Sequence, residues 1–203
     1  MLKSALTSLC LGGLLLTACS APDGTSAPYS PFATHRIDVV MPANAPAIGQ
    51  QFRVVSDHAD QGGKGGNHLG IDLLAPRGAP VLAAADGVVV ASFYEPAYGN
   101  RVQISHGLDS EGRRVSTRSV HLNKRLVAKG DKVVRGQKIG EVGSTGALAG
   151  TLNHLHFEVH VAGLGAVDPH LFWANGLGKV TCFDPVRPQP DSPVRLTYPV
   201  HCH

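Results

Sequence analysis

Two short stretches of this chain carry metal-binding side chains at spacings that suit one face of a strand. His68 and Asp72 stand four residues apart in HLGID, and His154 and His156 stand two apart in HLHFE. Because side chains alternate between the two faces of a β-strand, the members of each pair are expected to point to the same side. Gly70, between the first two, leaves room for another group to approach. Two strands are therefore predicted to present a pair of ligand-type groups each.

These side-chain types suit a zinc ion. Imidazole nitrogen and carboxylate oxygen both bind zinc, and hydrolytic sites use three protein ligands while a water molecule takes the fourth position. No cysteine lies near either pair in the sequence, and a site without thiolate keeps the ion more Lewis-acidic. A further histidine, His121, lies on a predicted strand between the two pairs. The pattern predicts a hydrolytic zinc site.

The elements that must position these residues are predicted to be strands. Gly 24 and Pro 14, together with only 5% aromatic residues, favour a β-rich protein with many tight turns. No segment has a helical period of convincing length. The strand-like segments are residues 69–74, 81–85, 88–93, 100–106, 114–121, 138–142 and 154–161. We therefore predict an all-β, antiparallel domain over residues 35–175, with an extended piece at 37–40 and one helical turn within 169–174.

Residues 68–161 resemble the lysostaphin/LytM-type zinc endopeptidases, which cleave peptidoglycan. The resemblance runs in family order through HLGIDL, GAPVLAAADGVVV, YGNRVQISHG, VHL, VAKGDKVVRGQKIGEVGSTG and HLHFEV. It covers about half of the chain, and the combination of HxGxD with HxHFE is highly specific. The resemblance implies an antiparallel β-sheet peptidase domain with a groove over the sheet.

The resemblance also implies a role for each histidine. His68, Asp72 and His156 would hold one zinc ion, and His154 and His121 would line the site without binding the metal. The zinc ion would activate water for attack on the scissile peptide carbonyl. Two imidazoles beside it can accept the proton of the water, stabilise the oxyanion and deliver a proton to the leaving amine. Either histidine can be the general base.

The sequence departs from the family pattern close to these residues. Ser119 stands where the family commonly has tyrosine, which predicts an altered fit of substrate in the groove. Leu152-Asn153 replaces the usual Gly-Pro before HLH, so a different loop geometry is expected there. Glu158 shares the face of His156 and is a candidate to orient a ligand, with plain exposure as the alternative. His106 is expected to be structural or near the groove rather than catalytic.

The N-terminal residues carry an export signal. Residues 5–16 are mostly apolar but too few to span a bilayer, so residues 1–18 are expected to be a cleaved signal peptide. The sequence LTAC resembles the lipobox of bacterial lipoproteins, which implies a lipid on Cys19, with ordinary signal cleavage as the alternative. Residues 19–34 are predicted to be a linker. Ser20 after the cysteine favours the periplasmic face of the outer membrane of a Gram-negative bacterium.

Two cysteines remain in the exported part of the chain. Cys182 and Cys202 would stand where disulfides persist, and we expect them to pair and fasten a Pro-rich C-terminal tail at 176–203. Two free thiols are one alternative. A second metal site with His201 and His203 is the other.

The charge and the motifs of the sequence also limit which partners and functions are expected. The net charge of +3 is scattered, with no basic run, so no nucleic-acid partner is predicted. The expected partners are peptidoglycan stem peptides and, through the lipid, a membrane, with a monomer as the default. One alternative function is a non-catalytic envelope lipoprotein that binds peptidoglycan or activates another hydrolase. Another is a lipoyl-like carrier, since residues 127–140 resemble half of that motif, but no modified lysine tip is evident.

Overall fold

The computed structural model describes residues 37–54, 67–190 and 192–203. The predicted signal peptide and linker lie outside these residues, as does most of the glycine-rich loop that precedes His68. Among the described residues, the regular structure consists of short to medium strands and two single-turn 3₁₀ helices. No helix in this part of the chain is long and apolar enough to cross a membrane.

The strands form two antiparallel sheets. In chain order they are β1 (Ile48–Gln50), β2 (Ile71–Leu74), β3 (Pro80–Leu82), β4 (Gly87–Glu95), β5 (Gly99–Leu108), β6 (Arg114–Leu122), β7 (Lys124–Arg125), β8 (Lys132–Val133), β9 (Lys138–Glu141), β10 (His154–Val161) and β11 (Gly165–Val167). The 3₁₀ helices span Ala147–Ala149 and Pro169–Leu171. The large sheet has the order β1-β2-β10-β6-β5-β4-β8, with β11 on β10, and the small sheet has the order β3-β9-β7. The predicted all-β antiparallel class is confirmed.

The large sheet separates the apolar core from the face that carries the histidines. Along β10, Leu155, Phe157 and Val159 are almost fully buried in the core. The residues between them, His154, His156 and Glu158, point to the opposite face by the alternation of a strand. These polar side chains are also buried. One face of β10 therefore packs in the apolar core, and the other face presents the polar side chains of the site.

The seven predicted strand segments are all present, with ends shifted by a few residues. The strands that were missed, β1, β7, β8 and β11, have only two or three residues each, which is too short for a recognisable alternation. The extended piece at 37–40 contributes a single bridge, from Val40 to Lys179. The segment with the carrier-like pattern, 127–140, contributes β8 and most of β9, and Gln137 pairs with the backbone of Ala83 in the core.

The C-terminal segment 176–203 packs into the apolar core. Cys182 and Cys202 form the predicted disulfide, with Cα atoms 6.0 Å apart. Leu196 and Tyr198 are fully buried in the same core as the strands, and Leu82 donates a backbone hydrogen bond to Pro199 at 2.8 Å. The core therefore continues past residue 175, where the sequence had suggested that the domain ends.

Candidate metal centre

Strand pairing brings the two ligand-type pairs together. In the antiparallel register of β2 and β10, Asp72 lies directly opposite His156. His68 precedes β2 and is held by two backbone hydrogen bonds with Arg53, of 3.0 and 2.8 Å. Residues that are far apart in the chain thus meet at adjacent backbone positions.

The close packing of the chain against β10 explains why residue 70 is a glycine. A Cβ atom on Gly70 would lie 2.4 Å from the carbonyl oxygen of Phe157 and 3.1 Å from Cε1 of His156. The group that approaches this glycine, as the sequence suggested, is therefore the backbone of β10 with the ring of His156. Any side chain at this position would push the two metal-binding strands apart.

Three donor atoms converge on one point. His68 Nε2 lies 3.1 Å from Asp72 Oδ1, and His156 Nδ1 lies 2.8 Å from the same oxygen. The ligand atoms of these three residues all fall within 4.8 Å of one another. Asp72 and His156 are buried and His68 is half-buried. This is the one group of metal-ligand residues of this size found among the described residues.

Each ligand histidine also has an acceptor at its outer ring nitrogen. His68 Nδ1 is 2.8 Å from the carbonyl oxygen of Gln51, and His156 Nε2 is 3.2 Å from Glu158 Oε1. Each ring can therefore donate an outward N–H, which leaves the nitrogen that faces Asp72 available to a metal ion. The carboxylate of Asp72 lies close to both inner nitrogens, where protons on the rings or a bound cation can supply the positive charge. The donor set therefore fits a divalent metal ion, and its nitrogen and oxygen chemistry fits zinc.

Charge at the site reinforces this conclusion. Burial by itself would raise the pKa of Asp72, but hydrogen bonds from His156 and His68 hold it well below its usual range. Burial by itself would lower the pKa of His156, but hydrogen bonds to Asp72 and Glu158 and their charges raise it to about 9. A divalent cation must displace the proton that His156 attracts, so metal affinity is expected to fall as the pH falls.

Glu158 contacts His156 on the side away from Asp72, and its own carboxylate is hydrogen-bonded to two further residues. It is 4% exposed, and its Oε2 accepts hydrogen bonds from Arg118 at 3.2 Å and from His160 at 2.6 Å. Burial would raise the pKa of Glu158, but its hydrogen bonds with His156 and His160 lower it, so it is a carboxylate at neutral pH. Glu158 is thus buried and placed to orient His156, rather than exposed.

Two further histidines lie beside the three donors. His154 donates from Nδ1 to the carbonyl of Leu152 at 3.0 Å, and its Nε2 lies 3.8 Å from Asp72 Oδ1. His121 donates from Nδ1 to the carbonyl of Thr145 at 2.9 Å. The rings of His121 and His154 are 5.0 Å apart, measured between centroids. In the neutral form of each ring, Nε2 is the nitrogen with the lone pair, which can accept a proton.

His121 adopts a strained backbone conformation. Its φ of 63° is the only positive value for a non-glycine residue in the described part of the chain, and such strain costs about 1–3 kcal/mol. Its backbone is held by Tyr98 and Thr145, whose loops pack so closely that a Cβ on Gly99 would lie 2.3 Å from Thr145. Burial lowers the pKa of His121 to about 4, so the ring is neutral at pH 7.

Two residues considered for the groove lie on the core face of the large sheet. Ser119 pairs with Phe157 and is buried on the core face of β6, so it does not line the metal centre. His106 has its Nδ1 2.8 Å from the carbonyl of Asp86 and its Nε2 2.8 Å from the hydroxyl of Thr117, two residues before Ser119 on that face. His106 is therefore structural, which was one of the two expectations, and contributes nothing to the site.

Two residues that sequence reasoning missed support the ligands. His160 continues the alternation of His154, His156 and Glu158, and this spacing was a usable signal. Gln51 contacts His68 through its backbone carbonyl, so its side-chain type gave no signal.

Comparison with characterised sequences agrees with this geometry. The model of Peptidase family M23 matches residues 66–169, which include all five site residues. Over 96 residues the chain is 47% identical to the peptidoglycan DD-endopeptidase ShyA of Vibrio cholerae, covering 47% of this chain and 21% of that protein. Over 96 residues it is 43% identical to the DD-carboxypeptidase/endopeptidase Mpg of Neisseria meningitidis, covering 47% and 20%. The chain spans about a fifth of the length of these relatives.

Solved structures give the same result for the fold. A zinc-containing peptidase from Vibrio cholerae superposes with a TM-score of 0.52 at 36% identity, covering 66% of this chain and 39% of that one. The antimicrobial peptidase lysostaphin from Staphylococcus simulans superposes with a TM-score of 0.53 at 30% identity, covering 73% and 58%.

Proposed function

Because this chain belongs to peptidase family M23, we propose that it is a zinc-dependent endopeptidase that hydrolyses the peptide cross-links of bacterial peptidoglycan. The observation that carries the proposal is the convergence of His68, Asp72 and His156 on one point, where their ligand atoms lie within 4.8 Å of one another. The name of the relative ShyA gives peptidoglycan as its substrate, and this supports the choice of substrate.

In this proposal His68 Nε2, Asp72 Oδ1 and His156 Nδ1 hold one zinc ion per chain. When bound, zinc supplies Lewis acidity, which lowers the pKa of water and polarises the scissile carbonyl. Gln51 and Glu158 fix the outward N–H groups of the two histidines, so both rings keep the tautomer that the metal requires.

His121 and His154 move the protons of the reaction. Hydrolysis forms a bond from water oxygen to the carbonyl carbon and breaks the bond from that carbon to nitrogen. One of the two unprotonated Nε2 atoms accepts a proton from the attacking water, and that proton is then delivered to the leaving amine. Whichever imidazole carries the proton also stabilises the negative charge on the carbonyl oxygen. The two N–H groups bonded to Leu152 and Thr145 keep these rings in the required orientation.

The proposal is tested with a purified muropeptide dimer of defined cross-link. We expect the zinc-loaded full-length protein to convert the dimer into two monomers, whose masses identify the bond that was cut. Removal of the metal with a chelator should stop the reaction, and added zinc should restore it. A protein that holds zinc but leaves the dimer intact would contradict the proposal and favour the non-catalytic envelope lipoprotein.

We also propose that the protein is exported and anchored by a lipid on Cys19, on the periplasmic face of the outer membrane. The support is the lipobox-like sequence at the end of an apolar stretch, followed by a Pro- and Ser-rich linker that can span to a nearby cell-wall layer.

Replacing Cys19 by serine is expected to move the protein from the membrane fraction to the soluble fraction of a Gram-negative host, because the attachment point of the lipid is lost. Cys10→Ser is the matched control, since Cys10 leaves with the predicted signal peptide. Fractionation followed by immunoblotting measures the effect. Equal membrane retention of both variants would exclude the lipid on Cys19.

A further inference from the structure

A buried histidine outside the metal centre is used by no step of the proposed mechanism. His170, in the 3₁₀ helix Pro169–Leu171, is 1% exposed. Trp173 donates from its indole Nε1 to Nδ1 of His170 at 2.8 Å. An indole N–H can only donate, so Nδ1 must be the acceptor and the proton of the neutral ring must lie on Nε2. The tautomer of His170 is therefore fixed by Trp173.

That proton connects His170 to the metal ligand through one residue. His170 Nε2 donates to the side-chain oxygen of Gln51 at 2.8 Å, and this bond also fixes which end of the Gln51 amide is the oxygen. The backbone carbonyl of the same glutamine accepts the N–H of His68, also at 2.8 Å. A chain of three hydrogen bonds thus runs from a buried indole to the outer nitrogen of a ligand.

The position of Gln51 in the fold explains why it needs this anchor. Strand β1 ends at Gln50, and the next backbone pairing is the bridge between Arg53 and His68. Gln51 lies between the two, where the ladder of the sheet does not hold its peptide group, and it is exposed on one side. Its side chain supplies the missing constraint by bonding to a histidine that is itself buried and hydrogen-bonded to Trp173.

We propose that His170 and Gln51 are positioning residues for the metal: they fix the direction of the Gln51 carbonyl and so hold His68 with Nε2 aimed at Asp72. This inference rests on the proposed function. Loss of either contact would free the ring of His68 to rotate or to change tautomer. Partners bonded directly to a ligand contribute about 10–100-fold to metal affinity, and these two side chains act one step further out, so a smaller loss is expected.

The C-terminal segment supports this chain of hydrogen bonds. Leu196 forms a bridge with Trp173 and exchanges backbone hydrogen bonds with Phe172 and Ala174, at 2.8 and 3.0 Å. The ring of Tyr198 contacts the indole, with centroids 5.9 Å apart. The disulfide-closed segment thereby holds Trp173, which in turn sets the tautomer of His170.

The test measures zinc affinity of the purified full-length protein by competition with a chelator of known affinity. Gln51→Leu removes the acceptor for His170 but keeps the backbone carbonyl, and it changes a residue that is exposed at the surface. We expect it to bind zinc more weakly than wild type, by up to about 10-fold. Gln51→Glu keeps an acceptor oxygen and should bind zinc at least as tightly as wild type. His170→Leu should weaken zinc binding as Gln51→Leu does.

His106→Leu is the matched control for His170→Leu. His106 also makes two hydrogen bonds of 2.8 Å but on the core face, so its loss should lower the melting temperature without changing zinc affinity. If wild type and Gln51→Leu bind zinc equally tightly, the positioning role is excluded while the proposed function stands. If wild type binds no zinc, the proposed function and this inference both fail.

Discussion

Replacing Asp72 by alanine is expected to leave the purified protein without zinc and without measurable cleavage of cross-linked muropeptides. Asp72 Oδ1 is the atom that both ligand nitrogens face, at 3.1 and 2.8 Å, and it is the one anionic donor of the three. Removing a supporting residue alone costs about 10–100-fold in metal affinity, so removing this ligand should cost more. Because the ion supplies several kcal/mol, cleavage should fall by more than about 10³-fold.

Asp109→Ala is the matched control for this substitution. Asp109 is also a buried carboxylate, 3% exposed against 7% for Asp72, but it binds Arg113, which lies immediately before β6. Its loss is expected to reduce stability while zinc content stays at one per chain. Elemental analysis of both variants gives the comparison. Full zinc occupancy and full activity in Asp72→Ala would contradict the assignment of the ligands.

The second large effect is expected at the two histidines that do not bind the metal. His121→Ala and His154→Ala should each lower kcat by about 10²–10⁴-fold, the usual contribution of general acid–base catalysis. Zinc content should stay close to wild type, because neither side chain belongs to the converging donor set. Their combined removal should cost less than the product of the two single effects, since they act on the same proton.

Zinc analysis and single-turnover kinetics on the same preparations separate the two roles. If His154→Ala loses zinc while His156→Ala keeps it, the roles assigned to the two histidines of HLHFE are reversed. If His121→Ala keeps full activity, the strained backbone at this position, φ 63°, has no catalytic purpose.

Much of the site follows from a simple period in the sequence. The alternation in HLHFE places His154 and His156 on one face and Leu155 and Phe157 in the core, and the structure has this arrangement. His68 and Asp72 also come together as their spacing predicted, although β2 begins only at Ile71. The reason is that the bridge to Arg53 extends the strand pairing back to His68.

Other features depend on contacts that no local pattern encodes. Alternation along β6 puts Ser119 on the core face, and the family comparison alone had suggested the groove. The positive φ of His121 arises from the packing of two distant loops against it. The bond from His170 to Gln51 joins residues 119 positions apart, and Gln51 reaches the ligand through its backbone. Such contacts become visible only when the tertiary structure is known.

Anomalous X-ray scattering at the zinc edge from crystals of the purified protein tests the central claim most directly. We expect one strong peak per chain, in bonding contact with His68 Nε2, Asp72 Oδ1 and His156 Nδ1, with His121 and His154 beside it but unbound. A peak bound by a different set of residues, or no peak in protein grown with zinc, would contradict the account.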